Sequence, residues 1–278
     1  MRERPEAADR RVAMPGGKLV NWQRSWVQWR DLTLQLTRRD VLIRYKHSIL
    51  GIYWAVLNPL LTAMVFTLVF SKIMRIHVHG LPYVVYMLTG LIIWNLFGNS
   101  VITAVNSLTG NANLLAKSYF PREILPTSAV AARFVDFVFA LLVLVGFYLA
   151  YRVRVGWSIF TLPLVLLPEI IFALGTSYLV AALNVFYRDV NQLVGLVLLL
   201  WMYLTPIIYS VTMVPAQFHK LYLLDPMAEA VYLSQQILLY NRMPFSWHYA
   251  VLWLVSVATF FIGLGLFRRL EPLFGEIM

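Results

Sequence analysis

Cysteine is absent from this 278-residue chain, so disulfides and thiolate metal sites are excluded while the redox compartment stays undetermined. Charge is scarce as well: Asp, Glu, Lys and Arg together make up 13% of the residues against 60% apolar ones. That balance, with a strongly positive mean hydropathy, belongs to an integral membrane protein. Catalytic signatures are missing too. There is no P-loop, no H-E-x-x-H, no G-x-S-x-G and no paired-carboxylate loop. The five histidines, His47, His77, His79, His219 and His248, are scattered, and His77 with His79 makes only a weak metal signal. Nothing here hydrolyses ATP, so an ATP-driven exporter built on this chain would have to borrow its energy from another subunit. A cleavable leader is lacking: MRERPEAADRRVAMPGGKLV has no apolar run, and residues 1–20 read as a disordered cytoplasmic tail.

What is present is a series of long apolar segments. Crossing roughly 30 Å of hydrocarbon takes about 20 helical residues, and six stretches qualify, near 48–70, 81–107, 124–151, 158–184, 190–212 and 246–267. Helices are expected because a lipid-exposed backbone must satisfy its own hydrogen bonds. The chain is thus expected to be an all-α integral membrane protein with a six-span domain over 47–268 and a cytoplasmic C-terminus at 269–278. Net charge is +10, but eleven of the 23 Lys and Arg lie within residues 1–46, which leaves no distributed basic face. The charge therefore implies a lipid surface or an anionic lipid-borne substrate, not nucleic acid. Six spans put both termini on one side. Sixteen Lys and Arg fall on that side against six on the other, which makes it cytoplasmic; without the N-terminal region the counts are five and six.

Residues 21–46 read as an amphipathic helix lying in the interface, since Trp22, Trp26, Trp29, Leu32 and Leu36 recur at helical spacing. It leads into RDVLIRYKHSILGIYWAVLNPLL, where Arg39, Arg44, Lys46 and His47 meet hydrocarbon as at a cytoplasmic membrane face. Between the fifth and sixth spans, residues 213–245 are too short and too polar for two more crossings. They read as short re-entrant or interfacial helices on the outer side, one of them starting at Asp225-Pro226 with Asp as N-cap.

Three polar stripes mark the spans: Trp54, Asn58 and Thr62; Asn95, Asn99, Thr103 and Asn106; Trp201, Thr205 and Tyr209. Each shares one helix face. Amides, hydroxyls and aromatic rings suit a sugar, whose hydroxyls bond while its C–H faces lie on rings; the same groups also serve as interhelical glue. Arg133, Asp136 and Glu169 are the formal charges inside the bundle, and they form either a proton relay or ion site or a mutually neutralising cluster.

The run RDVLIRYKHSILGIYWAVLNPLL, the later NVFYRDVNQLVGLVLLLWMYLTPIIYS and the LDPM after it resemble the membrane subunit of bacterial polysaccharide ABC exporters, the O-antigen (Wzm-like), teichoic-acid and capsule export permeases. The likeness covers nearly the whole chain after residue 20, with Asp225 standing where the family usually has Asn. It implies a homodimer in the bacterial inner membrane, paired with two copies of an ATP-binding subunit that carries ATP and Mg, and no cofactor in this chain. The implied cargo is a polyprenyl-pyrophosphate-linked polysaccharide. Its headgroup would meet Arg39, Arg44, Tyr45 and Lys46, and its sugars would pass Trp54, Asn58, Thr62, Asn95, Asn99, Thr103, Trp201, Thr205 and Tyr209. Coupling to the ATPase would run through Asn113, Lys117, Tyr119, Phe120 and Arg122 in one loop and Tyr187, Arg188 and Asp189 in another. No family role attaches to Arg133 or Glu169. A proton-coupled carrier using Arg133, Asp136 and Glu169 remains the competing reading, though no two-half symmetry supports it. A membrane glycosyltransferase or lipid phosphatase would want acids clustered at one face, and Asp189 and Asp225 stand on opposite sides.

Overall fold

The structure is a computed structural model and describes residues 26–46, 53–75, 80–117, 120–242 and 246–277. Among these, the regular structure is all helical. The long elements are α1 (Trp26–Lys46), α2 (Tyr53–Phe66), α3 (Tyr83–Val105), α5 (Ile124–Ala150), α6 (Leu162–Phe186), α7 (Val190–Leu204), α9 (Pro226–Tyr240) and α10 (Trp247–Leu270). Short helices α4 (Ala112–Lys117), α8 (His219–Tyr222) and α11 (Phe274–Ile277) sit between or after them. A π-helical stretch, Thr67–Ile73, prolongs α2, and a 3-10 turn, Trp157–Thr161, leads into α6. Five of these runs are long and apolar enough to cross a membrane: Val56–Ile73, Tyr83–Val105, Ile124–Ala150, Trp157–Phe186 and Trp247–Leu273.

The fifth expected span differs. Its helix stops at Leu204 instead of continuing to residue 212, which leaves 15 residues, about 22 Å of helix. Pro206 is the cause, because its ring disfavours helical geometry at the residue before it, and Thr205 is extended at φ −90°, ψ 145°. Residues 205–208 are nevertheless buried, so their carbonyls need partners. Gln235 Nε2 donates to the Pro206 carbonyl at 2.9 Å, the Tyr83 hydroxyl to that of Ile208 at 2.9 Å, and the Tyr86 hydroxyl to that of Tyr209 at 3.2 Å.

α3 forms the centre: most of its residues are buried, and it packs against α5, α6, α7 and α9. α9 starts as the sequence suggests, with Asp225 Oδ1 accepting from the Met227 N–H at 3.1 Å and Pro226 in the first turn, and ends at Asn241 in the left-handed region. At 15 residues it is too short to span. α1 packs one face on the bundle. Trp29 and Leu32 are half-buried and Leu36 is buried in a cluster with Leu108, Phe120, Ile124 and Leu125, so this face packs on protein, while Leu34, Leu42 and Ile43 are exposed. Asp40 meets Ser128 and Tyr45 meets Asp136, so α1 ascends alongside α5. Trp22 lies outside the described residues.

The most extensive helix pair is α6 with α10. It depends on two glycines facing each other: a Cβ on Gly263 would lie 2.1 Å from the Gly175 carbonyl oxygen, and one on Gly175 would lie 2.5 Å from the Phe260 backbone. Backbones approach this closely only where side chains are missing. Gly263→Ala is expected to destabilise the chain by about 1–3 kcal/mol through overpacking. Gly265→Ala, inside the same helix with open space around its Cβ, is expected to leave stability unchanged or raise it by up to about 1 kcal/mol. Thermal melting of both variants in detergent checks the pair.

Candidate functional site

Between α1, α2, α3 and α5 lies a cavity of about 280 Å³. α1 contributes Arg44 and Tyr45, α2 contributes Trp54, Asn58 and Pro59, α3 contributes Asn95 and Asn99 with Ile92 and Leu96, and α5 contributes Arg133 and Asp136 with Phe137 and Ala140. The wall thus combines cations, amides, an indole and aliphatic surface.

Asp136 organises the charged side. Its Oδ2 receives the guanidinium of Arg44 and, at 3.1 Å, Arg133 Nη1; its Oδ1 accepts from the Tyr45 hydroxyl at 2.7 Å. Arg133 is fixed from behind, since its Nε donates to Thr103 Oγ1 at 2.7 Å. All three charged side chains are about three-quarters buried, at 22–24% exposure, so their attraction is screened less than at a surface. Burial first, then the Asp136 carboxylate, raises the Tyr45 phenol above its ordinary range, so a hydroxyl already protonated at physiological pH is still harder to ionise. The three charges sum to one surplus cation.

This cavity joins residues that the sequence places in separate groups. Arg44 and Tyr45 stand beside Trp54, Asn58, Asn95 and Asn99, and Thr103 supports them through Arg133. Thr62 is half-buried on α2 and is not among the lining residues. Arg39 is paired instead with Asp40 at 2.8 Å, and Lys46 is exposed at the end of α1. Asn106 bonds Asn191 at 3.0 Å, so the lower end of the α3 stripe is glue between helices, not cavity wall.

The third stripe is split by the end of α7 and lies elsewhere. Trp201 packs edge-on against Trp94, Phe97 and Phe172 with ring centroids 5.5–6.2 Å apart, and its indole N–H donates to Asp225 Oδ2 at 2.8 Å. Thr205 is buried and donates to the Trp201 carbonyl at 2.9 Å, while the Tyr209 hydroxyl donates to that of Tyr203 at 3.1 Å. Glu169 is fully buried on α6, with neither oxygen hydrogen-bonded among the described residues and no ion pair to Arg133.

At the loop end, Asn113 and Lys117 are exposed on α4. Tyr187, Arg188 and Asp189 are exposed, Phe120 is buried, and Tyr119 lies outside the described residues. Arg122 donates to the Glu271 carbonyl at 2.9 Å and stacks on Phe274, a contact with the C-terminal segment that sequence reasoning missed. It also missed the bond from Arg44 to Asp136. The i, i+3 spacing reveals the Arg133–Asp136 pair, but nothing local signals a partner 92 residues away.

Long apolar helices around a partly open, cationic and amide-lined cavity define a polytopic membrane protein of the transport class. The chain belongs to the ABC-2 type transporter family, whose sequence model matches residues 31–239. It is 31% identical over 249 residues to the O-antigen export system permease protein RfbA of Klebsiella pneumoniae, covering 89% of this chain and 95% of that one. Against the RfbA of Myxococcus xanthus it is 30% identical over 260 residues, 93% and 99% of the two chains. The capsule polysaccharide export inner-membrane protein CtrC of Neisseria meningitidis matches at 26% over 200 residues, 69% and 73%.

Trp201→Phe keeps the ring cluster but removes the N–H from a half-buried indole, and leaves Asp225 with its backbone bond alone. It is expected to cost about 1–3 kcal/mol, read as a lowered melting temperature in detergent.

Proposed function

We propose that this chain is the permease subunit of an ATP-driven exporter that carries a lipid-linked polysaccharide, of the O-antigen, capsule or teichoic-acid type, from the cytoplasmic to the outer face of a bacterial inner membrane. The observation that carries the reading is the cavity in which the cationic end of α1 meets the amide and indole wall of α2 and α3. An anionic headgroup and the sugar next to it need those two chemistries side by side. The names of the relatives, O-antigen and capsule export permeases among them, support the polysaccharide class.

Membership of the family implies an ATP-binding partner. In the proposed assembly two such partners, holding ATP and Mg, pair with two copies of this chain, both termini cytoplasmic, with α7 and the buried segment after it as the remaining crossing. The exposed residues of α4 and of the 187–189 turn supply the docking face. ATP binding moves these loops and opens a path between subunits, and the glycan threads along weakly binding sites, since tight binding would stall passage. A proton-coupled carrier is less well supported. Glu169 shares no bond with Arg133 or Asp136, so the relay it requires has no continuous hydrogen-bonded route among the described residues.

Purification of the tagged chain from native membranes in mild detergent is expected to bring a P-loop ATPase near one to one, with vanadate-sensitive hydrolysis; a chain that emerges alone overturns the exporter. Replacement of Arg44 and Lys46 together by Ala is expected to abolish surface glycan in a host lacking its own permease while the complex still assembles. Wild-type export by that variant would remove the headgroup role.

A further inference from the structure

The charged wall of the cavity has more cation than its own carboxylate neutralises. Two guanidinium groups, Arg44 from α1 and Arg133 from α5, converge on one oxygen of Asp136, and the Tyr45 hydroxyl takes the other. Arg133 has little freedom to follow an incoming ligand, because Thr103 holds its Nε. Asp136 lies one turn further along the same helix and cannot leave, but its side chain can rotate away from the two cations. The cavity beside them is large enough for a phosphate group and the ring next to it, at about 280 Å³.

Resting on the headgroup reading above, we propose that Arg44, Arg133 and Tyr45 form a phosphate-class anion site that Asp136 occupies as a built-in stand-in, to be displaced when a diphosphate enters. A carboxylate presents one charge and two oxygens to this site. A diphosphate presents more charge and more acceptors, which both guanidinium forks can engage at once. The exchange transfers the end of α1 from Asp136 to the ligand, so α1 is held in the empty and the loaded state by different anions. Asp136 also sets the affinity: as a fixed competitor it keeps binding weak enough for release, and adventitious monoanions are rejected because they offer no more than it does.

The test is calorimetric titration of the purified chain in nanodiscs with three probes: inorganic diphosphate, a polyprenyl diphosphate and the matching polyprenol. Asp136→Asn is expected to bind diphosphate-bearing probes at least about tenfold tighter than wild type, and Arg133→Gln to lose that binding. Should Asp136→Asn not fold, the charge-balanced double variant R44Q/D136N is compared with R44Q, and must bind at least about tenfold tighter than it. A gain with both diphosphates and none with polyprenol supports a site for the phosphate itself; a gain confined to the polyprenyl form supports the same site with the lipid chain adding to it. If wild type binds, Arg44→Gln weakens it, and loss of Asp136 brings no gain, the stand-in is overturned while the headgroup reading stands. If Arg44→Gln and Arg133→Gln leave binding unchanged, both fall.

Discussion

A polar atom inside an apolar slab is stable only with a partner, because no water is there to replace one, and an unmet donor or acceptor costs several kcal/mol. The constraint shows where the helix is interrupted and where charge enters the bundle. Where Pro206 ends α7 inside the bundle, Gln235, Tyr83 and Tyr86 reach across to the freed carbonyls. Where charges enter the bundle they come as a cluster, with Asp136 shared between two arginines and a phenol. Glu169 is the plainest of several counter-cases among the described residues: both its oxygens are buried without a hydrogen-bonded partner, beside Pro168 in α6, and Glu229 Oε2 and the hydroxyls of Ser177, Ser234 and Ser256 are also unmet.

Much of the fold was legible because the signals were long and local. Apolar runs of helical length identify α3, α5, α6 and α10 to within a few residues, and the Asp225-Pro226 pair identifies the start of α9. The end of α7 was readable in principle from Pro206, but an apolar run through Ile207 and Ile208 hides a break that only backbone geometry forces. The spacing marks the apolar face of α1, but Trp29, Leu32 and Leu36 look the same whether they meet lipid or α5, so the contact with α5 is not legible in it.

The polar stripes show how far spacing alone can go. Residues at i and i+4 share a face, yet a face is defined only by what lies opposite it. Asn95 and Asn99 look into the cavity; Asn106, two turns beyond Asn99 on the same helix side, ties α3 to Asn191. Trp201 has the composition of a sugar platform, but its ring is closed in by Trp94, Phe97 and Phe172 and its N–H is committed to Asp225. The stripes of α2 and α3 thus converge on the cavity, and that of α7 builds the packing behind it.

Two rigid helices connect this cavity to the ends of the bundle. α5 begins beside a clamp in which Arg122 bonds Glu271 and Arg268 bonds Glu123 at 3.0 Å, next to the buried Phe274. The exposed ion pair is worth little as stability, but it fixes where the first turn of α5 sits against the end of α10. Arg133 and Asp136 follow nine to twelve residues later, about 14–18 Å along an unbroken helix, so a displacement at the clamp reaches the cations without a hinge between. α3 extends the linkage to the other end. Asn95 and Asn99 line the cavity while Trp94 and Phe97, on its other side, hold Trp201 and through it Asp225 at the start of α9. A close-packed helix moves as a body, so a shift of α3 would carry the cavity wall and the aromatic group that supports α9 together.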